Sequence, residues 1–317
     1  VSEILPPWIG ELARSLHRRL MGEGLPHALL ICGARGVGKR RLADWLAARV
    51  LCADPGEDGT ACGRCRECVL RLAGTHPDLW RAEPGERADG RRRQDIVIEQ
   101  IRELSARLAA AGQRSGSCVA IVDPADRLTP PAANAFLKTL EEPGAGRLLI
   151  LVADEAAWVP ATIRSRCARI ELRTPPRALA HSWLVERGLT PELAAEALSL
   201  AEGSPLRALA LAGDGAVGLS AAVASELGEL ARGRVSAAAL ARAWAADRPE
   251  LRLILAERLA MRSLRARALT DPELFSKLET WLVEAARVRQ ELHTPLRGEF
   301  LMAALLARWP GLPVAER

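Results

Sequence analysis

The sequence predicts an α/β protein in which a parallel sheet surrounds a phosphate-binding loop, followed by an all-helical remainder. Three observations lead to this reading. Short β-rich runs alternate with helical patterns from residue 1 to about 173, the arrangement of a parallel sheet covered by helices. The first apolar run ends in "GARGVGKR", Gly33 to Arg40, which follows the glycine-rich phosphate loop as far as its lysine. Beyond about residue 174 the strand-like runs stop and apolar residues recur at three- and four-residue steps.

Taken in order, the strand candidates are His27–Cys32, Asp78–Arg81, Cys118–Asp123, Leu148–Ala153 and Ala168–Leu172. Helical patterns fall at Trp8–Leu20, Lys39–Leu51, Ile96–Ala111 and Pro131–Glu142. Pro84 to Asp95 is polar and turn-rich and reads as a surface loop. Residues 174–213 read as three short helices, with Thr190 and Ser204 as N-caps of the second and third. Residues 214–317 read as a helical bundle, with patterns at Ala237–Ala246, Pro249–Ala268, Pro272–Leu292 and Gly298–Trp309. Three parts are therefore expected: 1–173, 174–213 and 214–317.

The phosphate loop is complete through Gly33, Gly36, Val37, Gly38 and Lys39, and then departs from the pattern. The next position calls for Ser or Thr, whose hydroxyl ligates magnesium, and Arg40 stands there. Lysine occurs only at Lys39, Lys138 and Lys277 among 44 basic residues. In so arginine-biased a chain, a lysine at the phosphate position points to a loop that is functional or only recently lost.

Seven cysteines fall into two kinds. Cys52, Cys62, Cys65 and Cys68 lie in one polar, glycine-containing stretch, and four thiolates close a tetrahedral zinc site. A redox C-x-x-C is the competing reading, but four clustered thiols favour a structural metal. Cys32, Cys118 and Cys167 read as buried small residues.

The segments "LPHALLICGARGVGK", the cysteine cluster, "GTHPDL", "NAFLKTLEEP" and "TIRSRC" occur in the order found in clamp-loader subunits of bacterial DNA polymerase III. The chain resembles that AAA+ family, and within it the delta-prime branch rather than the gamma/tau motors. The likeness covers about residues 1–173 strongly and the three short helices moderately. Over the last third it rests on helical pattern and position. It implies an AAA+ domain carrying a zinc module, a small helical lid and a helical collar joining subunits into a ring. It also implies a role in ATP-driven loading of a sliding clamp on primed DNA, beside gamma/tau and delta subunits, as an accessory part of a polymerase holoenzyme.

Against that pattern the chain departs at the hydrolytic residues. The motors' acidic pair is here Asp123 followed by Pro124, so the magnesium-side acid remains and the catalytic glutamate is absent. Asp126 lies three residues on and is expected to point elsewhere. The lid arginine motif is displaced by one residue to Arg207, which turns a helical side chain by about 100°, and Arg207 reads as an exposed lid residue. What survives is "SRC", where Ser165 and Arg166 match the motif whose arginine reaches an adjacent subunit's ATP site. A finger in trans stabilises charge on the transferring phosphoryl group. The helix of "NAFLKTLEEP" admits two readings, a core helix packed through Asn134, Leu137 and Leu140, or a surface facing DNA or a neighbour.

The expected own-site behaviour is weak ATP or ADP binding, or none, without hydrolysis. An active gamma/tau-like ATPase is the alternative, opposed by Arg40 and Pro124. An unrelated P-loop kinase leaves the cysteines, "SRC" and the bundle unexplained. The net charge of +5 leans weakly towards an anionic partner such as DNA. No apolar run reaches the length of a membrane span and no signal peptide is visible, so a cytoplasmic protein is expected.

Overall fold

A computed structural model describes residues 5–85, 93–110, 116–267, 271–292 and 295–311. Most of the segment read as a surface loop, residues 86–92, lies outside the described residues, as do the last residue of the third expected helix and residues 312–317. The chain divides into two compact units. One comprises residues 1–183 with 203–207, the other residues 184–202 with 208–317.

The first unit opens with α1 (Pro7–Met21), β1 (Ala28–Cys32), α2 (Lys39–Leu51), α3 (Arg66–Leu72) and β2 (Leu79–Ala82). It continues through α4 (Ile98–Ala110), β3 (Cys118–Val122), α5 (Pro130–Glu141), β4 (Arg147–Ala153), α6 (Ala161–Arg164) and β5 (Ala168–Glu171). All five expected strands are present, with no end shifted by more than one residue. The short helices α3 and α6 fall where no helix is predicted, each too brief to show a periodic pattern. The strands form one parallel sheet in the order β2-β3-β4-β1-β5, giving the first unit an AAA+ P-loop architecture.

Alternation along the strands divides the core between two faces. Leu30, Ala120, Val122, Leu149 and Leu151 face α4 and α5, where Ile101, Leu104, Ala133, Phe136 and Leu140 complete one layer. Leu29, Ile31, Val119, Ile121, Ile150 and Val152 face α1 and α2, meeting Ile9, Leu16, Leu42, Trp45 and Leu46. β1 and β3 are buried at every residue, as strands covered on both sides must be. The packed face of α5 is Ala132, Ala133, Phe136 and Leu140. Leu137 is partly buried against the same core as Leu140, while Asn134 is exposed, so of the three residues named in the core-helix reading only Asn134 is corrected. The smaller alanines turn inward and leave the amide in water.

The remaining helices are α7 (Arg177–Val185), α8 (Pro191–Leu200), α9 (Pro205–Gly213), α10 (Ala216–Ala231), α11 (Ala237–Ala246), α12 (Pro249–Arg267), α13 (Pro272–Glu291) and α14 (Pro295–Ala307). The boundary between the units runs through α7 and α9. Thr190 caps α8 as expected, its hydroxyl accepting from the Leu193 N–H at 3.3 Å. In the second unit the Trp281 ring meets Trp309 edge-on with centroids 4.8 Å apart, and its Nε1 donates to the Leu305 carbonyl at 3.0 Å. Trp244 is fully buried, and its Nε1 donates at 2.7 Å to Glu226. Glu226 also takes the Arg252 guanidinium at 2.9 Å. The polar tips of both indoles are thus satisfied.

Phe136 is fully buried between α5 and the sheet. Its truncation, Phe136→Ala, is expected to destabilise the first unit by about 3–5 kcal/mol, read as a lowered denaturation midpoint in urea. A loss below about 1 kcal/mol would place that ring outside the core.

Candidate functional site

In a parallel sheet, ligand-handling residues collect beyond the carboxyl ends of the strands. Here β1, β4 and β3 lie side by side, so the residues that follow them converge: Gly33 to Arg40 after β1, Asp154 after β4 and Asp123 after β3. Lys39 is buried, and its Nζ makes three short contacts. It donates to the carbonyls of Gly33 at 2.6 Å and Ala34 at 2.9 Å, and to Asp154 Oδ1 at 2.7 Å. The lysine therefore braces the loop it belongs to.

Arg40 lies across Asp123. Its Nε is 2.5 Å from Oδ2 and its Nη2 donates to Oδ1 at 3.3 Å. The arginine side chain is 72% exposed while the carboxylate is 4% exposed, so the guanidinium covers a buried acid from the solvent side. Burial holds the Asp123 carboxyl above the ordinary carboxylate value, the charge and hydrogen bond of Arg40 offsetting only part of the rise. Asp126 turns away, with Oδ2 3.4 Å from the Glu155 N–H.

Three loop glycines have positive φ, at 147° for Gly33, 86° for Gly36 and 108° for Gly38, a region that strongly favours glycine. Each is also closely covered by protein. A Cβ at Gly33 would stand 2.1 Å from the Leu172 carbonyl oxygen, at Gly36 2.5 Å from Arg207 Cβ, and at Gly38 2.5 Å from Ile9 Cδ1. Val37 is buried, and its carbonyl accepts from Trp8 Nε1 at 2.8 Å. The Gly36 carbonyl accepts from the Leu206 N–H at 3.0 Å. Arg207, expected to be an exposed lid residue, is instead half-buried with its backbone against the loop. The Leu206–Gly36 bond draws it in.

Arg166 makes no hydrogen bond or ion pair to this loop among the described residues. Its Nε and Nη2 donate to Glu141 Oε1 at 3.0 and 2.6 Å, and its Nη1 donates to the Thr162 carbonyl at 2.8 Å. Ser165 braces the same turn, donating from Oγ to the Thr162 carbonyl at 3.1 Å. Glu141 belongs to the "LEEP" end of α5, so two of the segments singled out in the sequence meet here.

The four clustered cysteines also converge. The sulfurs of Cys52, Cys62, Cys65 and Cys68 lie within 4.8 Å of one another, with Cys52 to Cys65 and Cys62 to Cys68 both at 4.0 Å. A tetrahedron of sulfurs around zinc at about 2.3 Å has edges of about 3.8 Å, so the cluster is compatible with a structural zinc ion. Backbone N–H groups already point at three of the sulfurs: Cys62 N–H at Cys52, Cys65 N–H at Cys62 and Cys68 N–H at Cys65, at 3.3, 3.3 and 3.4 Å. Those dipoles favour thiolate. Behind the cluster, Glu67 of α3 lies 2.9 Å from Nε2 of the buried His76, whose Nδ1 accepts from the Asp78 N–H at 3.0 Å. The "GTHPDL" motif thus ties the module to the start of β2. Of the other cysteines, Cys32 and Cys118 are buried and Cys167 half-buried.

Asp154, Glu141, Trp8 and the Glu67–His76 contact carry no signal in a single sequence. Only the position of Asp154 at the end of the strand beside β1 could have marked it.

A family model described as DNA polymerase III, delta subunit, matches residues 9–176. The chain belongs to that family. Among its relatives is the DNA polymerase III subunit delta' of Pseudomonas aeruginosa, 38% identical over 221 residues, which are 69% of this chain and 65% of that one. The subunits of that name from Haemophilus influenzae and Escherichia coli are 36% and 38% identical over 65% and 58% of this chain. The matched part spans 65%, 61% and 54% of the length of these three relatives. A DNA polymerase III subunit tau from Salmonella typhimurium is 33% identical over 46% of this chain.

The thiols of the cluster are set far apart in acidity. Backbone N–H groups of Arg64 and Cys65 lower Cys62 to about 6, while burial raises Cys68 to about 12. Thiolate is the reactive form, so chelator-treated protein at neutral pH should be alkylated first at Cys62 and last at Cys68. The Cys62 reaction should fade as the pH falls through about 6. Peptide mapping after a short iodoacetamide pulse reads this, and equal labelling of all four would refute it.

Proposed function

We propose that this chain is a non-hydrolysing subunit of a DNA polymerase III clamp loader, lending Arg166 to a neighbour's ATP site. In this reading residues 1–173 are the AAA+ domain, 174–213 the lid and 214–317 the collar. The partners are gamma/tau and delta subunits and, through the ring, a sliding clamp and primed DNA. The setting is the cytoplasm. The chain is an accessory component with no ATPase activity of its own.

The observation that carries the reading is the Arg40–Asp123 pair. Magnesium-assisted phosphoryl transfer needs an open carboxylate and a loop hydroxyl to hold the ion. Here a guanidinium covers the carboxylate and stands in place of the hydroxyl. Pro124 supplies no side chain to orient water. With Lys39 turned onto Asp154 and its own loop, a nucleotide would have to break two internal ion pairs to be held. Binding of ATP or ADP at Gly33, Gly36, Val37, Gly38, Lys39 and Arg40 is therefore expected to be weak or absent.

Arg166 and Lys39 give opposite expectations within one chain. In the reconstituted ring, Arg166→Ala should leave assembly intact and abolish turnover at the single site that borrows it, by a factor of about 10³–10⁵. Lys39→Ala should change turnover little once its folding is checked by thermal melt. ATPase rates and clamp loading measure both. Silence of Arg166→Ala with loss in Lys39→Ala would make the chain a motor.

The ion proposed for Cys52, Cys62, Cys65 and Cys68 is zinc, closed on all four sides and so structural. Elemental analysis should return one equivalent per chain, and Cys65→Ser should lower the melting temperature of the first unit, because metal binding contributes folding free energy. Less than half an equivalent of metal in intact protein would rule it out.

A further inference from the structure

Arg166 is already occupied. A guanidinium has five N–H donors, and the edge formed by Nε and one terminal nitrogen grips an oxyanion as a fork. In this chain that edge, Nε and Nη2, rests on one oxygen of Glu141 at 3.0 and 2.6 Å. The remaining nitrogen is turned inward, with Nη1 2.8 Å from the Thr162 carbonyl and 3.5 Å from Ser165 Oγ. An arginine held this way cannot present its Nε–Nη2 edge to a phosphate, and its charge is already met by a carboxylate.

We infer that Glu141 is a parking counter-ion for Arg166, holding the finger neutralised on α5 until a polyphosphate oxyanion from a neighbouring site displaces the carboxylate. The inference rests on Arg166 acting in trans, as proposed above. Glu141 is a positioning residue and touches no nucleotide itself.

The surroundings make the exchange easy. The side chains of Arg166 and Glu141 are 37% and 51% exposed, so solvent screens the pair and its release is inexpensive. A phosphate oxyanion carrying more charge than a carboxylate competes well for the same fork. The Thr162 and Ser165 contacts are made by Nη1 at the tip of the side chain, so they define the same parked position and are given up together with Glu141 when the finger moves. Glu141 also ends α5, the helix whose inner face packs on the sheet through Phe136 and Leu140. The parking site is therefore fixed while the finger moves.

The test uses the whole ring reconstituted with wild-type chain, Glu141→Gln, Arg166→Ala or the double variant. Glutamine keeps the shape and removes the charge. At the borrowing site, Glu141→Gln should raise kcat by up to about fivefold, the range of an exposed pair, with KM for ATP unchanged. The ratio of variant to wild type should fall towards one as salt is added, because screening loosens the wild-type pair too. The double variant should match Arg166→Ala. If Arg166→Ala is silent, the trans finger itself fails and the parking role goes with it. If Arg166→Ala abolishes turnover while Glu141→Gln leaves kcat unchanged or lowers it, the finger stands and the parking role is wrong. A Glu141→Gln effect that survives in the Arg166→Ala background would show Glu141 acting by another route, and would also overturn it.

Discussion

The pairing of Arg40 with Asp123 governs this molecule more than any other polar contact in it. Asp123 follows a strand buried at every residue and is itself almost wholly shielded. A carboxylate in such a place needs a cation or a proton. A phosphate-loop protein ordinarily meets that need with a metal held by a hydroxyl and a nucleotide. Here the chain carries its own cation one residue after Lys39. The guanidinium is covalently attached to α2 and always present, so the carboxyl end of the sheet is electrostatically complete without a ligand. From that follows a phosphate loop whose lysine and following arginine are both already paired with carboxylates of the chain itself.

Much of the frame was legible because its signals are local. Burial on both faces writes strands as unbroken apolar runs, and that is why β1 and β3 stood out. The cysteine spacing announced a cluster, and the structure brings the four sulfurs together. What stayed hidden is contact between segments distant in sequence. Arg166 stood out through its motif, but nothing paired it with Glu141, which looked like one more surface charge in a chain that is 26% charged. Asp154 looked like the polar end of a strand until strand order put it beside β1. α5 misled at Asn134, because three- and four-residue steps fitted that residue as well as the alanines that are buried. The second unit was read from periodicity alone, which finds helices but not their partners. Neither the Trp281–Trp309 contact nor the Glu226–Arg252 pair could be inferred that way.

The loop glycines and Lys39 also have a structural reason to stand where they do. Packing supplies one for the glycines. Leu172, Arg207 and Ile9 stand where side chains at Gly33, Gly36 and Gly38 would have to go, so the turn is needed to close β1 against α1, β5 and the start of α9. For Lys39 the reason is the shape of the ammonium group. Its Nζ is a compact centre with three donors, and three acceptors surround it: the Gly33 and Ala34 carbonyls and the Asp154 carboxylate. A planar guanidinium is longer and forked, and would not converge on three acceptors around a single point. In a chain that uses arginine for nearly every cation, these three acceptors give a structural reason for a lysine at this position. A glycine-rich turn ending in lysine is thus evidence for the fold it supports and insufficient evidence for the phosphate. The reaction has to be read from the metal position, and there the residue is Arg40.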